Sequence, residues 1–425
     1  MSLRKAASLG AVGMAVQMVA SFLSVKITSV YLGPAGIGLV GQLQSFIGMT
    51  LGIVSSGVNT GIIRLTAEYG SDVERRRKLV STVVRTLFVV GVPLSLLLLI
   101  GAPWVAEKLL DDVGYAPAVM LFGGLYLCGL FGSLLLGLAN GAKDYATTTY
   151  INIGNVLASL VLFALLSPIY GVVGGLAAAA LAPLMSLVIA AFVSRRKPWF
   201  ERSALSAAFS SDELRRVAGF IPMAAATAVV VPLAQIVVRD TLAAQAGMEA
   251  VGLLQGVWRL SDMYLGIFVS MFSMYYLPRF AEIKGAPELR REIGRGLLYI
   301  VPAVALISGF IYLLRDLLIA VIFTQEFLPM RDLFAWQMVG NVLRMASWLF
   351  GYVLVAKASP LLFAAIEIST GGAWILLAYW FVPKGGAIGA VQSYAATYTF
   401  YLIVTACLVF VITRKMERES KGEAI

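Results

Sequence analysis

The sequence contains no histidine, and only two of its 425 residues are cysteine. Without histidine the chain lacks the most common general base and the most common metal ligand, so we expect neither a metal site nor a proton relay through imidazole. Both cysteines, Cys128 and Cys407, lie inside apolar runs, which argues against a structural disulfide. Charged residues make up only 13 % of the chain, against roughly one quarter in soluble domains. These shortages exclude a soluble enzyme, a nucleic-acid-binding domain and a disulfide scaffold.

Hydrophobic residues, in contrast, make up 60 % of the chain and are gathered in long runs. A helix needs about 20 apolar residues to cross a membrane, and runs without period-two alternation favour helices over barrel strands. We therefore predict an all-α polytopic membrane protein with twelve transmembrane helices. The predicted spans cover residues 8–32, 37–63, 83–103, 117–139, 144–167, 171–194, 215–238, 248–277, 296–314, 331–356, 359–382 and 386–413.

The distribution of lysine and arginine predicts the orientation of these spans. Alternate connections and the two termini carry 25 of the 33 basic residues, whereas the other connections, which include Arg239, carry five. Positive charge accumulates on the cytoplasmic side of membrane proteins. The bias therefore places both termini in the cytoplasm and requires an even number of spans.

A long connection in the middle of the sequence divides the chain into two halves. Pro198 and the serine-rich residues after it predict a linker within residues 195–214. We therefore predict an N-terminal six-helix bundle, residues 1–213, and a C-terminal six-helix bundle, residues 214–425. Both halves start with a span, a short glycine-containing connection and a long helix with a polar stripe, as in transporters built from repeated bundles.

Three predicted spans carry small or polar residues at helical spacing. The stripes are Gly41, Ser45, Gly48, Gly52, Ser56 and Asn59 in the second span, Gln255, Arg259, Asp262 and Gly266 in the eighth, and Gly340, Arg344, Ser347 and Gly351 in the tenth. A charged residue at mid-membrane costs about 2.5–3.5 kcal/mol on insertion scales, so such stripes indicate a wet cavity between the two halves. Close helix packing through small residues is the alternative, and the pattern leaves it open.

Several charged residues inside the spans are candidates for function. Arg259 and Asp262, three residues apart, either neutralise each other or leave the arginine available to a ligand. Lys26 either faces the cavity or extends to the membrane interface. Glu367 has no evident partner, so it is either protonated or part of an ion path. Asp262 and Glu367 are the candidates for ion coupling. Because cations outnumber anions within the spans and arginine suits phosphate oxygens, the pattern favours an anionic substrate.

The sequence also contains no GxxxxGK[ST] motif, and no outer connection is long enough to form an enzyme domain. We therefore expect no catalytic residues and no cofactor, with energy supplied by an ion gradient, the membrane potential or the substrate's own gradient. A multidrug or cation antiporter is the main alternative, but it would require a surplus of carboxylates in the spans. A polymerase or ligase of lipid-linked glycans would require a large outer loop with paired catalytic residues.

Five segments carry a resemblance to a known family. They are VYLGPAGIGLVGQLQ (30–44), NTGIIRLTAEYG (59–70), VGLLQGVWRLSDMYLGIF (251–268), YYLPRFAEIK (275–284) and FAWQMVGNVLRMASWLFGYVLVAKA (334–358). In this order the chain resembles the Wzx-type polysaccharide-repeat flippases of the MOP exporter superfamily. Within that family it is most similar to the WzxE-like translocases of enterobacterial common antigen and O-antigen units.

The resemblance implies two six-helix bundles around a V-shaped central cavity that opens alternately to the two membrane faces. It implies a bacterial inner-membrane flippase that moves undecaprenyl-pyrophosphate-linked oligosaccharide from the cytoplasmic to the periplasmic leaflet. Membrane lipid, a polysaccharide polymerase and a chain-length regulator are the further partners it implies. By similarity, Lys26, Arg64 and Arg259 face the lipid pyrophosphate. With Asp262 and Arg344 from the polar stripes, they form the predicted substrate-binding set.

Overall fold

Four long helices in the computed structural model are each interrupted once by a glycine with positive φ. They are α1 (Leu3–Tyr69), α5 (Tyr145–Ser194), α7 (Ile221–Met271) and α12 (Pro360–Ser420), with interruptions at Gly33, Gly171, Gly247 and Gly386. Gly33, with φ 65° and ψ −175°, adopts a conformation that is open to glycine and strained for other residues. Each interruption divides a helix that is too long for one crossing into two segments.

The structure describes residues 3–70, 72–197, 199–200, 207–357 and 360–420, and contains no strand within them. The other helices are α2 (Val73–Ile100), α3 (Ala102–Leu110), α4 (Ala116–Gly141), α6 (Ser211–Ala218), α8 (Leu277–Glu282), α9 (Ala286–Leu313), α10 (Arg315–Ile322) and α11 (Phe334–Lys357). Short 3₁₀ segments cover Val113–Tyr115 and Gln325–Leu333, and a π-helical segment covers Phe272–Tyr276. Pro198 and residues 201–206 of the predicted linker lie outside the described residues.

Eight helical stretches among the described residues are long and apolar enough to cross a membrane. Four of them are each divided into two segments by a glycine interruption, and the other four are undivided. The resulting segments agree with the predicted twelve crossings. Each half of the sequence has the same order: a divided helix, two undivided spans and a second divided helix. The chain is therefore an all-α, multi-pass membrane protein with an internal repeat.

The chain forms two compact units whose border crosses α1 and α7. The first unit contains Met1–Leu32 and Leu39–Ile236, and the second contains Gly33–Gly38 and Val237–Ile425. Both cysteines are free, as the sequence predicted.

Glycines of α4 bring its neighbours close in the first unit. Gly132 lies against Ser186 and Leu187 of α5, and Gly123 lies against Leu98 of α2. A Cβ atom at Gly132 would come within 2.8 Å of the Ser186 hydroxyl oxygen. The contact between α4 and α5 therefore depends on the absence of a side chain at this position.

Part of the polar stripe in the second span also packs closely. Gly52 lies against Ala228, and Gly57 lies against Ile221, both on the first segment of α7. A Cβ atom on Gly48, in contrast, would have no described neighbour within 4 Å. Close helix packing is therefore the correct interpretation for Gly52 of the stripe, and Gly57, which is not part of the stripe, packs in the same way.

Hydrogen bonds anchor the described end of the central connection to α2. The Ser81 hydroxyl donates to the Ala207 carbonyl oxygen at 2.6 Å, and the backbone N–H of Ser210 donates to the Thr82 hydroxyl at 3.0 Å. Helix α6 begins directly after this attachment. The predicted linker is thus fixed on the first unit from residue 207 onward.

A short turn from the N-terminal half, Gly33–Gly38, packs on α7 within the second unit. A Cβ atom on Gly38 would lie 3.1 Å from the Met248 carbonyl oxygen, and one on Gly252 would overlap the Pro34 carbonyl oxygen. The contacts are reciprocal, since Pro34 and Met248 each directly follow the glycine that interrupts their helix. The two helix interruptions therefore meet backbone to backbone, which requires glycine at residue 252 and leaves little room for a side chain at residue 38.

Candidate functional site

Helices α7 and α11 bring Asp262 and Arg344 together inside the second unit. The Arg344 Nη1 donates to Asp262 Oδ1 at 3.3 Å. The aspartate side chain is 63 % exposed, whereas the arginine side chain is 19 % exposed. The sequence left open whether Asp262 and Arg259 neutralise each other. In the structure Asp262 also has a partner on a different helix, Arg344. The aspartate side of this ion pair is therefore open, and the arginine side is enclosed.

Aromatic side chains enclose the guanidinium group of Arg344. Its Cζ atom lies 4.7 Å from the ring centroid of Trp348 and 5.8 Å from that of Tyr398. Its Nη1 also donates to the hydroxyl oxygen of Tyr394 at 3.4 Å. Cation–π attraction and a charge-assisted hydrogen bond both stabilise a cation away from water. Arg344 is thus held as a positive charge within an apolar unit.

The sequence of α12 explains why tyrosines gather at this arginine. Tyr394, Tyr398 and Tyr401 follow spacings of four and three residues, which places them on one helical face. On α11, Gly340 leaves room for the ring of Tyr394, and Gly351 leaves room for the hydroxyl of Tyr401. For these two glycines of the tenth-span stripe, close packing is therefore the correct interpretation.

A fully buried amide, that of Asn341, fixes the hydroxyl groups around the site. Its Nδ2 donates to Ser261 Oγ and to the Tyr264 hydroxyl, both at 2.9 Å. Its Oδ1 accepts from Gln337 Nε2 at 3.0 Å and from the Tyr394 hydroxyl at 3.1 Å. The hydrogen bond from Tyr394 orients its hydroxyl oxygen, which accepts from the Arg344 guanidinium group.

Glu367 has a partner that the sequence did not reveal. The Tyr401 hydroxyl donates to Glu367 Oε1 at 2.9 Å. Tyr401 also meets Tyr398 edge to face, with 6.4 Å between the ring centroids. The prediction that Glu367 lacks a partner was wrong. Tyr401 lies 34 residues after Glu367 in the sequence, and helical spacing does not relate residues that far apart.

Arg239 was assigned to an outer connection, and this assignment was wrong. It lies within α7, is only 2 % exposed, and its Cζ atom sits 5.2 Å from the ring centroid of Trp258. Trp258 contacts Trp374, which in turn contacts Tyr394, each with 5.7 Å between ring centroids. The sequence does contain a signal for this, because helix-forming residues continue from Arg239 to Gly247 without a residue that would end the helix earlier.

The other three predicted residues are divided between the two units, and Arg259 lies next to Asp262 along α7. Lys26 is half-buried in the first segment of α1, and Arg64 is exposed near the end of α1. The Arg64 Cζ atom lies 5.6 Å from the ring centroid of Phe220. Arg259 is half-buried on α7, about one helical turn before Asp262. Lys26 and Arg64 belong to the first unit, and Arg259 belongs to the second.

The chemistry of the second-unit cluster suits an anionic ligand with polar groups around it. Guanidinium groups form strong, directional hydrogen bonds with phosphate or carboxylate oxygens. Tyrosine and tryptophan rings offer flat apolar faces with a polar edge. The cluster therefore combines charge recognition with surfaces for a bulky polar group.

Comparison with known proteins identifies sequence relatives over the full length of the chain. A profile of the family described as Polysaccharide biosynthesis protein matches residues 2–284. The chain is 31 % identical over 415 residues to Lipid III flippase from Escherichia coli (strain K12), covering 98 % of this chain and 100 % of the relative. The same values apply to Lipid III flippase from Shigella flexneri.

Solved structures show the same fold at much lower sequence identity. An inward-facing multidrug resistance MATE family transporter of the MOP superfamily matches with a TM-score of 0.75 and 14 % identity. The match covers 94 % of this chain and 96 % of the transporter. At this identity the likeness concerns the fold alone.

Proposed function

The chain belongs to the polysaccharide biosynthesis protein family, within the MOP superfamily, and we propose that it is a lipid-linked oligosaccharide flippase. Its substrate is an undecaprenyl-pyrophosphate-linked repeat unit of the O-antigen or enterobacterial common antigen type. The observation that carries the proposal is the match to Lipid III flippases over 98 % of the chain. The protein is accordingly a transporter and not an enzyme.

The proposed role of the buried arginines follows from the cost of moving charge through lipid. A diphosphate with attached sugars cannot cross about 30 Å of hydrocarbon unaided, because burying unpaired charge is prohibitive. Arg344, enclosed by aromatic rings, replaces water around the pyrophosphate while the polyprenyl chain stays in the bilayer. Lys26, Arg64 and Arg259 supply further positive charge along the path.

Asp262 allows Arg344 to exchange a carboxylate partner for the phosphate oxygens of the substrate. Its Oδ1 lies 3.3 Å from Arg344 Nη1. Phosphate oxygens that take over the guanidinium group release this carboxylate, which then binds a cation or a proton. Together with Glu367, which is held by Tyr401, Asp262 forms the proposed ion-coupling pair. The site is exposed first to one leaflet and then to the other, as alternating access requires.

The proposal includes a place in the cell. The excess of basic residues in alternate connections supports cytoplasmic N- and C-termini in the bacterial inner membrane. Transport then runs from the cytoplasmic to the periplasmic leaflet. A polysaccharide polymerase and a chain-length regulator are proposed partners, because they act on the units that such a flippase delivers.

Flipping by the purified protein tests the function directly. Vesicles that contain the protein receive a labelled lipid-diphosphate oligosaccharide, and the fraction reached by an external modifying reagent is followed over time. We expect protein-dependent exchange between leaflets, and Arg344→Gln should reduce the initial rate at least tenfold. One lost charge-assisted hydrogen bond is worth about 1.5–3 kcal/mol, and about 1.4 kcal/mol corresponds to tenfold.

Arg331→Gln is the matched control for this substitution. Arg331 is an exposed arginine of the same unit that pairs with Asp316 at 3.0 Å, so its loss should leave the flipping rate within twofold. No exchange above protein-free vesicles would overturn the flippase. Uptake of a fluorescent organic cation under a proton or sodium gradient in the same vesicles would favour the antiporter instead.

A further inference from the structure

The start of α9 contacts the end of α12 within the second unit. The Arg290 Nη1 lies 2.7 Å from Glu417 Oε1, and its Nε and Nη2 each donate to the Thr413 hydroxyl at 3.4 Å. Both helices belong to stretches that are long and apolar enough to cross a membrane. Because the start of one helix meets the end of the other, the two helices run antiparallel at this contact.

This contact places four arginines on one side of the helix pair. On each helix the residue directly after a contact residue is an arginine, and these are Arg291, Arg414 and Arg418. Each step along a helix turns the side chain by about 100°, in opposite senses on two antiparallel helices viewed from the same end. The three arginines therefore point to the same side of the pair. Arg295 lies one turn after Arg291 and shares its face. All four are exposed and are called the arginine surface below.

The arginine surface carries uncompensated positive charge. None of its four side chains forms an ion pair with a described residue. The described carboxylates beside the helix contact are directed elsewhere. Glu417 pairs with Arg290, Glu288 pairs with Arg279 at 2.8 Å, and Glu292 is buried. An anionic partner of this surface would therefore not be repelled by these acidic groups.

Apolar side chains continue the same side of the helix pair into the membrane-spanning part. Leu298 lies two turns after Arg291, and Phe410 lies one turn before Arg414, so each shares the face of its arginine. Leu298 is 67 % exposed and Phe410 is 50 % exposed. The Arg414 Cζ atom lies 4.4 Å from the ring centroid of Phe410. Exposed apolar side chains next to exposed cations are typical of a surface that meets both the acyl chains and the headgroups of a bilayer.

We propose that the arginine surface binds the headgroup of an anionic phospholipid. Arg291 and Arg414 donate to the phosphodiester oxygens, the other two arginines add positive charge, and an acyl chain packs on Leu298 and Phe410. Clusters of basic residues beside transmembrane helices attract anionic headgroups in this way. A water-soluble protein partner would not explain the apolar residues that continue into the membrane. The site does not depend on which substrate the protein moves.

Lipid retention by the full-length protein tests this proposal. The protein is reconstituted in nanodiscs of mixed phosphatidylcholine and phosphatidylglycerol, and native mass spectrometry counts the lipids of each kind that remain bound after release. The first variant combines Arg291→Gln with Arg414→Gln. A second variant, Arg295→Gln with Arg418→Gln, keeps the test valid if the first does not fold.

Arg195→Gln combined with Arg196→Gln is the matched control. Both arginines are exposed and directly follow α5, which is the divided helix that ends the first half as α12 ends the second. The Arg195 Cζ atom lies 4.0 Å from the ring centroid of Phe192, so the control also removes an arginine that stacks on an exposed phenylalanine. It therefore reports what two exposed arginines at the end of a span contribute without the paired helix.

We expect the wild-type protein to retain phosphatidylglycerol in preference to phosphatidylcholine. Each of the two surface variants should reduce this preference by about tenfold or more, whereas the control should stay within twofold of wild type. Equal retention of the two lipids by the wild-type protein, or an equal loss in the control, overturns the site. A dimer that the wild-type protein forms and the surface variants do not would assign the surface to a second copy of the chain, and would also overturn it.

Discussion

At the scale of single residues, Asn341 connects more of the second unit than any charged residue described above. Its four hydrogen bonds reach Ser261, Tyr264, Gln337 and Tyr394. Asn341→Ala leaves these partners without their bonds in a buried place. We expect a loss of about 3 kcal/mol in stability, seen as a lower melting temperature in detergent and a matching loss of flipping.

Asn140→Ala provides the comparison for that prediction. Asn140 accepts one hydrogen bond, from the Thr148 hydroxyl at 3.0 Å, so its removal should cost only about 1 kcal/mol. Equal melting temperatures for the two variants would show that the four hydrogen bonds of Asn341 contribute no more than the single hydrogen bond of Asn140.

Asp144, in the connection between α4 and α5, gives stability a dependence on pH. Burial alone raises its carboxyl pKa, but hydrogen bonds from Thr147 and Trp199 and the contact with Lys197 outweigh burial and lower the pKa to about 2. The folded-state pKa thus lies below the ordinary value of 3.8. The carboxylate therefore stabilises the fold above that ordinary value, and the contribution disappears as the pH falls toward the folded pKa.

Asp144→Asn removes the charge but keeps the hydrogen bonds that Oδ2 accepts from Thr147 Oγ1 and Trp199 Nε1, because an amide oxygen also accepts them. It loses only the bond that Oδ1 accepts from the Thr147 backbone N–H. We expect the variant to lose about 1–2 kcal/mol near neutral pH. The difference between the two melting temperatures should shrink as the pH decreases below 3.8. A difference that stays constant with pH would assign the loss to packing instead of charge.

At the scale of helices, the meeting of the two interruptions limits what α7 tolerates. A Cβ atom on Gly252 would overlap the Pro34 carbonyl oxygen, so Gly252→Ala forces two backbones apart. We expect a loss of about 2–3 kcal/mol, visible as a lower melting temperature and a smaller monodisperse fraction. Gly266→Ala lies on the same helix with nothing described within 4 Å, and it should raise helix stability by up to about 1 kcal/mol.

The same helices show what the sequence could and could not predict. Hydropathy predicted the number and order of spans, because each crossing must be apolar and must satisfy its own backbone hydrogen bonds. Helical spacing also indicated which face of α11 carries Arg344. It could not show that this face meets Asp262, 82 residues away, or Tyr394, 50 residues away. Periodicity identifies a face, whereas the neighbour of that face depends on tertiary packing.

The contacts of Arg239 and Tyr401 could not be predicted from the sequence, for a related reason. Arg239 looked like a loop cation because charge normally marks the end of a span. Its burial against Trp258 depends on a helix that continues past it. Nothing in the sequence distinguishes Tyr401 from the other aromatic residues. It contacts Glu367 only because the two segments of α12, before and after Gly386, pack against each other.

At the scale of the whole molecule, the membrane potential should bias transport. Two negative charges that move outward across a membrane with a negative interior gain about 4.6 kcal/mol per 100 mV, from about 2.3 kcal/mol per charge. We expect a potassium diffusion potential, imposed with valinomycin on the same vesicles, to accelerate flipping toward the positive side and to slow it in the opposite direction. A rate that is independent of the imposed potential would show that the pyrophosphate charge is compensated during transport.

The turn Gly33–Gly38 has a consequence for how the chain is made. Its contacts, Met248 and Gly252, leave the ribosome roughly 210 residues after the turn itself. At about 5–20 residues per second, translation of that stretch takes on the order of ten to forty seconds. During this interval the nascent turn lacks its native neighbours, so a segment synthesised among the first is among the last to be completed. Factors of the insertion machinery that shield polar backbone groups would have to protect Gly33–Gly38 until α7 has been synthesised.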